Sequence, residues 1–348
     1  MKFHHFFPLM AGMLSAGAEA GWAALPLVSY SSGSGLLYGG RFEAVTGGTS
    51  PASFSLTAYG TTRGGQYESF GVRLPAAGSS WYLTGSHDQR LGRDFYGWGN
   101  SGDPDSSLEY DRERDAVAIG RAQTFGPVQV RLGAEVRHSS AFGFEEGGLW
   151  SGLPGLLASS EWTAGPSVEI QSSSCPIPVC EDIRVRFDWQ RGEAAEYWTG
   201  DLERVAYLPL GGDALLALRY DLAHHHGVDA TPLPYLPFLG PDQLLRGYAD
   251  DRFSGSWMTV ANIELRRPLF DLAADPATGQ PLATVGAALF GDAGQASDSF
   301  GGIRWDRWHP DAGVGLSLAV DGIAVKLDLT ALSPEGFHMG MSLGSGEF

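Results

Sequence analysis

The chain alternates. Val128, Val130, Leu132, Ala134 and Val136 take turns with Gln129, Arg131, Gly133, Glu135 and Arg137. Ile183, Val185, Phe187 and Trp189 do the same with Asp182, Arg184, Arg186, Asp188 and Gln190, and Ile323, Val325, Leu327 and Leu329 with Ala324, Lys326, Asp328 and Thr330. Side chains of a strand point to opposite faces in turn, so each segment has one apolar and one charged face. With Gly, Pro and Asp clusters read as turns, strands are predicted near 24–32, 35–45, 52–60, 66–74, 79–90, 107–124, 127–140, 160–172, 182–191, 197–210, 213–224, 255–267, 282–292, 311–319, 322–331 and 336–348. The first has the weakest pattern, because Pro26 interrupts it; without it the number would be odd, which bacterial single-chain barrels avoid.

A soluble sandwich also alternates, so no single strand decides between sandwich and barrel. The number of strands, their length of about ten residues and an N-terminal export signal together do, and the connection lengths check the count independently. The long connections 91–106, 141–159, 225–254 and 293–310 fall on one side of the sheet, and the tight ones at Gly126, Gly211-Gly212 and Asp321 on the other. Short turns at one rim and long loops at the other mark an outer-membrane barrel. Connections 173–181 and 268–281 are the exceptions, longish segments on the short-turn side. The expected fold is therefore all-β: a 16-stranded antiparallel transmembrane β-barrel.

The N-terminus fits export. Lys2 is followed by an apolar run from Phe6 to Ala18 and by Ala18-Glu19-Ala20 as a small-x-small cleavage site. Residues 1–20 are read as a signal peptide and 21–348 as the barrel domain, with almost nothing between cleavage site and first strand. No later segment reaches the roughly 18 uninterrupted apolar residues of a spanning helix. The chain has 348 residues and a net charge of −17, which disfavours nucleic acid and bulk anionic lipid as ligands. Cys175 and Cys180 are the only cysteines. After export they suit a local disulfide, with a free or redox-active pair as the alternative. A metal would need two further ligands, and none sits nearby in the sequence.

Candidate chemistry gathers in the last third. Leu245-Arg246-Gly247-Tyr248 lies in the long connection, Glu264 in Asn262-Ile263-Glu264-Leu265-Arg266-Arg267-Pro268, and Asp292 in Phe290-Gly291-Asp292-Ala293-Gly294. By parity Asn262, Glu264 and Arg266 share one face, as do Phe290 and Asp292, so both carboxylates can look inward. Sixteen strands enclose a lumen too wide for side chains alone to fill. A loop folded into it can carry Arg246 to a carboxylate, and an unpaired buried cation would be costly. Arg246 is expected to pair with Asp292, with Glu264 nearby, while Gly247 permits a tight turn and Tyr248 packs on the inner wall.

These segments, with Phe95-Tyr96-Gly97-Trp98-Gly99-Asn100 before them and a glycine-rich C-terminal strand ending on Phe348, resemble in order and spacing the BamA/TamA family of outer-membrane assembly and translocation barrels. The resemblance is convincing over the last third and looser elsewhere. It implies residence in the bacterial outer membrane, contact with its lipid, an inward-folded loop, and a seam between first and last strands that can open sideways. Pro26, which lacks a donor, and Gly340, Gly344 and Phe348 belong to that seam. Phe348 has the opposite parity to Phe337, Met339, Met341 and Leu343, which a bulge near Gly344-Ser345-Gly346 would restore. Implied partners are client outer-membrane proteins and a separate periplasmic or lipoprotein subunit. Members of the family usually carry periplasmic domains ahead of the barrel, and none is read here. The alternatives are a structural or partner-binding barrel that kept the fold, and an occluded pore. No enzyme is read, because no serine, histidine and acid set converges, and no cofactor is implied. The run His224-His225-His226 sits at a strand end, where neighbours point different ways.

Overall fold

The computed structural model describes residues 21–31, 35–48, 50–100, 107–143, 160–175, 179–240, 245–274, 281–320 and 323–344. The expected signal peptide at 1–20, the proposed bulge at 345–346 and Phe348 lie outside the described residues.

Strands β1 (Gly21–Ser31), β2 (Gly35–Val45), β3 (Ser53–Thr61), β4 (Gln66–Ala76), β5 (Ser79–Phe95), β6 (Leu108–Phe125), β7 (Val128–Phe142), β8 (Glu161–Ser174), β9 (Cys180–Gly192), β10 (Glu196–Gly211) and β11 (Ala214–His226) follow one another as antiparallel neighbours. Two short strands, β12 (Phe238–Leu239) and β13 (Phe253–Ser254), pair with each other inside the long connection that follows. The wall resumes with β14 (Trp257–Ala274), β15 (Pro281–Ser297), β16 (His309–Val320), β17 (Ile323–Leu332) and β18 (His338–Gly344). Sixteen strands form one closed barrel, with β1 joined to β18. Closure gives every strand two neighbours, which a sheet in hydrocarbon requires because no water is present to satisfy an edge.

Parity sorts the two surfaces. Outward Leu132, Ile119, Leu289, Ile263 and Leu316 are exposed, whereas inward Glu135, Arg137, Asp188, Glu264 and Asp292 are buried. Exposed aromatics flank the apolar belt: Trp22, Trp81, Phe125 and Phe270 towards the short-turn rim, Trp162 and Phe337 towards the loop rim. That is the outside of a membrane-spanning barrel.

Several strands run further than their sequence suggests. β14 continues through Pro268 to Ala274 and β15 reaches Ser297, so the connections expected at 268–281 and 293–310 shrink to 275–280 and 298–308. Pro268 looks like a turn in the sequence. Here the ladder shifts register between Pro268 and Phe270, and an irregular position of this kind tolerates the missing N–H. Cys175 and Cys180 form a disulfide across the turn from β8 to β9, on the short-turn side.

Candidate functional site: a strap across the lumen

The connection from β11 to β14 folds into the barrel mouth, and its packing is apolar at two places. Leu239, Leu245, Tyr248 and Phe253 bury against Met258, Val260 and Ala296 of β14 and β15. Leu233, Leu236 and Phe238 bury against Phe95 and Tyr110 of β5 and β6. Inward-facing Met258, Val260 and Tyr110 are thus apolar where a water-lined wall would be polar, because a loop covers them.

Arg246 is the centre of the first contact. Its Nε donates to Asp292 Oδ2 at 2.7 Å and its Nη2 to Asp292 Oδ1 at 2.8 Å, a two-pronged pairing. Nη1 donates to Glu264 Oε2 at 3.1 Å and to Asp328 Oδ2 at 3.4 Å. Burial by itself would lower the pKa of this guanidinium; Asp292, then Asp328 and Glu264, raise it above its ordinary value. Glu264 has a fully buried side chain, and serves three cations: Arg246, Arg266 at 2.7 Å and Lys326 at 3.0 Å. Asn262 donates to Asp292 Oδ1 at 2.8 Å and so fixes the carboxylate that faces the guanidinium.

Gly247 works by close approach. Its φ is not in the left-handed region, but a Cβ there would stand 2.6 Å from Cβ of Asp311. The tight turn suggested by the sequence is present, closed by Tyr248 N–H donating to the Leu245 carbonyl at 3.3 Å, and it lays bare backbone against β16, where Gly247 N–H donates to Asp311 Oδ2 at 2.9 Å. Tyr248 is 1 % exposed and donates to the Pro310 carbonyl at 3.1 Å; burial pushes its phenol pKa up.

Four residues later the chain is held on the far wall. Arg93 of β5 donates to Asp251 Oδ2 at 2.9 Å and to Asp250 Oδ2 at 2.7 Å, and Arg112 of β6 lies 3.6 Å from Asp251. Burial would raise the Asp251 pKa, but Arg93 and Arg112 together hold it below the usual carboxylate range. Arg252 pairs with Glu335 in the connection between β17 and β18, and Ala249 N–H donates to the same carboxylate at 3.1 Å. The two anchored sectors, β14 to β17 and β5 to β6, are separated by β11, β10, β9, β8 and β7 on one side and by β18, β1, β2, β3 and β4 on the other. The segment 246–252 is therefore a strap fastened to opposite walls.

The aromatic-glycine segment closes the mouth further. Gly99 bridges to Ser254, Asn100 Nδ2 donates to the Arg307 carbonyl at 2.8 Å, Asn100 Oδ1 accepts from Ala296 N–H at 2.7 Å, and Trp98 donates to Asp298. Beneath the strap a cavity of about 600 Å³ remains, lined in part by Arg137, Arg186, Asp188, Asp201 and Glu203.

The structure therefore brings Arg246, Gly247, Tyr248, Glu264, Phe290 and Asp292 together. Asp250, Asp251, Arg93, Arg112, Asp311, Asp328 and Glu335 also hold the strap and were not singled out in the sequence. Apolar residues at inward positions near the loop rim were the legible signal that something covers the wall there. Pro26, Gly340 and Gly344 lie on the paired terminal strands. Of the three consecutive histidines, His224 and His226 share a face and both pack on Trp198, with His224 also stacked on Trp257, whereas His225 turns the other way, stacking on Tyr197 and donating to Thr231.

At the seam, β1 meets β18 at Tyr30↔Met341 and Ser31↔Gly340 among the described residues, with Ser29 Oγ donating to the Met341 carbonyl at 2.6 Å. On its other side β1 pairs with β2 along its whole length, from Gly21↔Val45 to Ser31↔Gly35.

No family model and no curated protein matches the chain. Solved structures do. BamA from Haemophilus ducreyi lacking POTRA domains 1-3 superposes with a TM-score of 0.63 at 15% identity, covering 93% of this chain and 70% of that one. CdiB from Escherichia coli gives 0.66 at 14%, with 94% and 63% covered, and CdiB from Acinetobacter baumannii gives 0.60 at 14%, with 94% and 60% covered. The chain thus spans less than two thirds of either CdiB chain. At such identities the likeness is one of fold: a closed antiparallel barrel of sixteen strands like those of BamA and CdiB.

Proposed function

We propose that this chain acts in the bacterial outer membrane as a barrel for assembly or translocation of proteins, engaging client strands at the seam between β1 and β18. The observation that carries this reading is the meeting of the first and last strands of a closed sixteen-stranded barrel, β1 with β18, at a seam that holds Pro26 and Gly340. An incoming strand would add to β1 where β18 gives way, and β-augmentation supplies the hydrogen bonds. Pro26 offers no N–H to that edge and Gly340 adds no side chain, so the native seam is cheap to part. The strap meanwhile props the mouth from within, so the seam can part while the opposite walls stay tied. Outer-membrane lipid is the surrounding solvent, and a separate periplasmic or lipoprotein subunit is the partner that would deliver clients.

The test is insertion of a small unfolded outer-membrane barrel into liposomes carrying the purified chain. Folding is expected to be faster than in empty liposomes. A Tyr30→Cys/Met341→Cys variant should lose the acceleration on oxidation and regain it on reduction. Acceleration that survives oxidation overturns the seam reading. No acceleration by the unmodified chain overturns the assembly reading and leaves a barrel that binds partners without inserting them.

A further inference from the structure

The outside of the barrel carries a feature that neither strap nor seam explains. On β4 to β7, near the loop rim, the outward face turns from apolar to acidic. Val117 and Ile119 of β6 are exposed apolar residues, but the next outward positions towards the loops are Asp115, Glu113 and Asp111. Glu68 on β4 lies directly opposite His87 on β5, His87 opposite Asp115, and Asp115 opposite His138 on β7. Arg90, Arg112 and Arg114 of the same strands have the other parity and turn inward, where they pair with Asp88. Among the described residues, Asp115 of this outer face thus has two imidazoles, His87 and His138, as its partners.

The imidazoles converge on one carboxylate. His87 Nδ1 donates to Asp115 Oδ1 at 2.8 Å and His138 Nδ1 to Asp115 Oδ2 at 3.2 Å. The Nε2 of His138 bonds Ser160 Oγ, and its ring lies 4.6 Å from that of Trp162, which fixes its direction. One ligand atom each from His87, Glu113 and Asp115 lie within 4.8 Å of one another.

We infer that His87, Glu113 and Asp115 form a divalent transition-metal site on the outer wall, of the zinc class, with His138 as a positioning residue behind Asp115. One imidazole and two carboxylates are a ligand set that zinc accepts, with a fourth place left for water. Ligand atoms around a tetrahedral zinc stand roughly 3.3 Å apart, so the set closes by small side-chain rotations, with the His87 proton displaced. His138 donating to the far oxygen of a ligating carboxylate is the kind of outer contact that orients such ligands. A cation here also neutralises acidic charge at the level of the aromatic belt, where unpaired carboxylates on the lipid side disfavour insertion. The set is invisible in the linear sequence because its members come from two strands and meet only through register.

The test uses the full chain purified in detergent, titrated with zinc by calorimetry and with cobalt(II) followed by visible absorption. Saturable binding of about one zinc per chain is expected, weakened roughly tenfold or more by His87→Ala or Asp115→Asn and unchanged by His226→Ala, which lies on β11. Cobalt bands should appear in the unmodified chain and vanish in His87→Ala. Heat-modifiable gel mobility checks that the variants are folded. If they are not, zinc protection of His87 from diethyl pyrocarbonate, read by mass spectrometry on the unmodified chain, gives the same answer. Absence of saturable binding, binding that persists in both variants (an adventitious ion only), displacement by equimolar calcium, or no protection of His87 would each overturn the assignment.

Discussion

The Phe290 ring lies 3.6 Å, centroid to carbon, beneath the guanidinium of Arg246. Phe290 and Asp292 are two apart on β15, so one strand face offers Arg246 both a ring for its plane and a carboxylate for its edge. A planar, delocalised cation can use both at once; an ammonium cannot.

Arg246→Lys should therefore fail to substitute. It keeps the charge but loses the two-pronged pairing and the stacking, with a cost of about 2 kcal/mol from weakened charged hydrogen bonds. Arg246→Met leaves Asp292 and Asp328 short of a cation and should cost about 3–5 kcal/mol. Urea unfolding in detergent micelles measures both, and equal midpoints for lysine and arginine would refute the role of the plane.

Gly247 can be separated from ordinary glycines. Gly247→Ala forces Cβ against Asp311 and should cost about 1–3 kcal/mol through overpacking. At Gly301 a Cβ meets nothing within 4 Å, so Gly301→Ala should be nearly neutral in the same assay.

Acid should release the far anchor. The Asp251 pKa is lowered in the folded state, so its contribution is fully present above the unfolded carboxylate value near 4 and is lost as pH falls through the lower folded value. Hydrogen exchange in residues 249–253 should rise sharply below about pH 4. Arg93→Gln should remove most of that pH dependence; if it does not, Arg93 is not what holds the acid down.

The strap also makes a prediction about conductance. With both anchors intact the mouth is obstructed, and single channels in planar bilayers should be small and rare. Arg93→Ala with Arg246→Ala frees both ends and should give larger, frequent openings, more than either change alone. A double variant as silent as the unmodified chain would mean that the apolar contacts of Leu239, Leu245 and Phe238 suffice to hold the strap.

Strand number, facing and the side of the long loops were legible because period two depends only on neighbours along the chain. Ile263 against Glu264, or Leu289 against Phe290, shows its two faces without any fold. The reach of β14 was not legible. Pro268 is a local signal for a turn, and pairing with β15 overrode it.

Arg246 and its acids could be matched from sequence because parity put Glu264 and Asp292 on inward faces of consecutive wall strands. Asp251 with Arg93 could not, being 158 positions apart and related only by the width of the lumen. What the sequence determined alone is which side of the wall each residue occupies. Which residues then meet across the lumen, at the seam or around Asp115 was decided by closure, because closing a sheet fixes register and brings together walls that the chain itself keeps far apart.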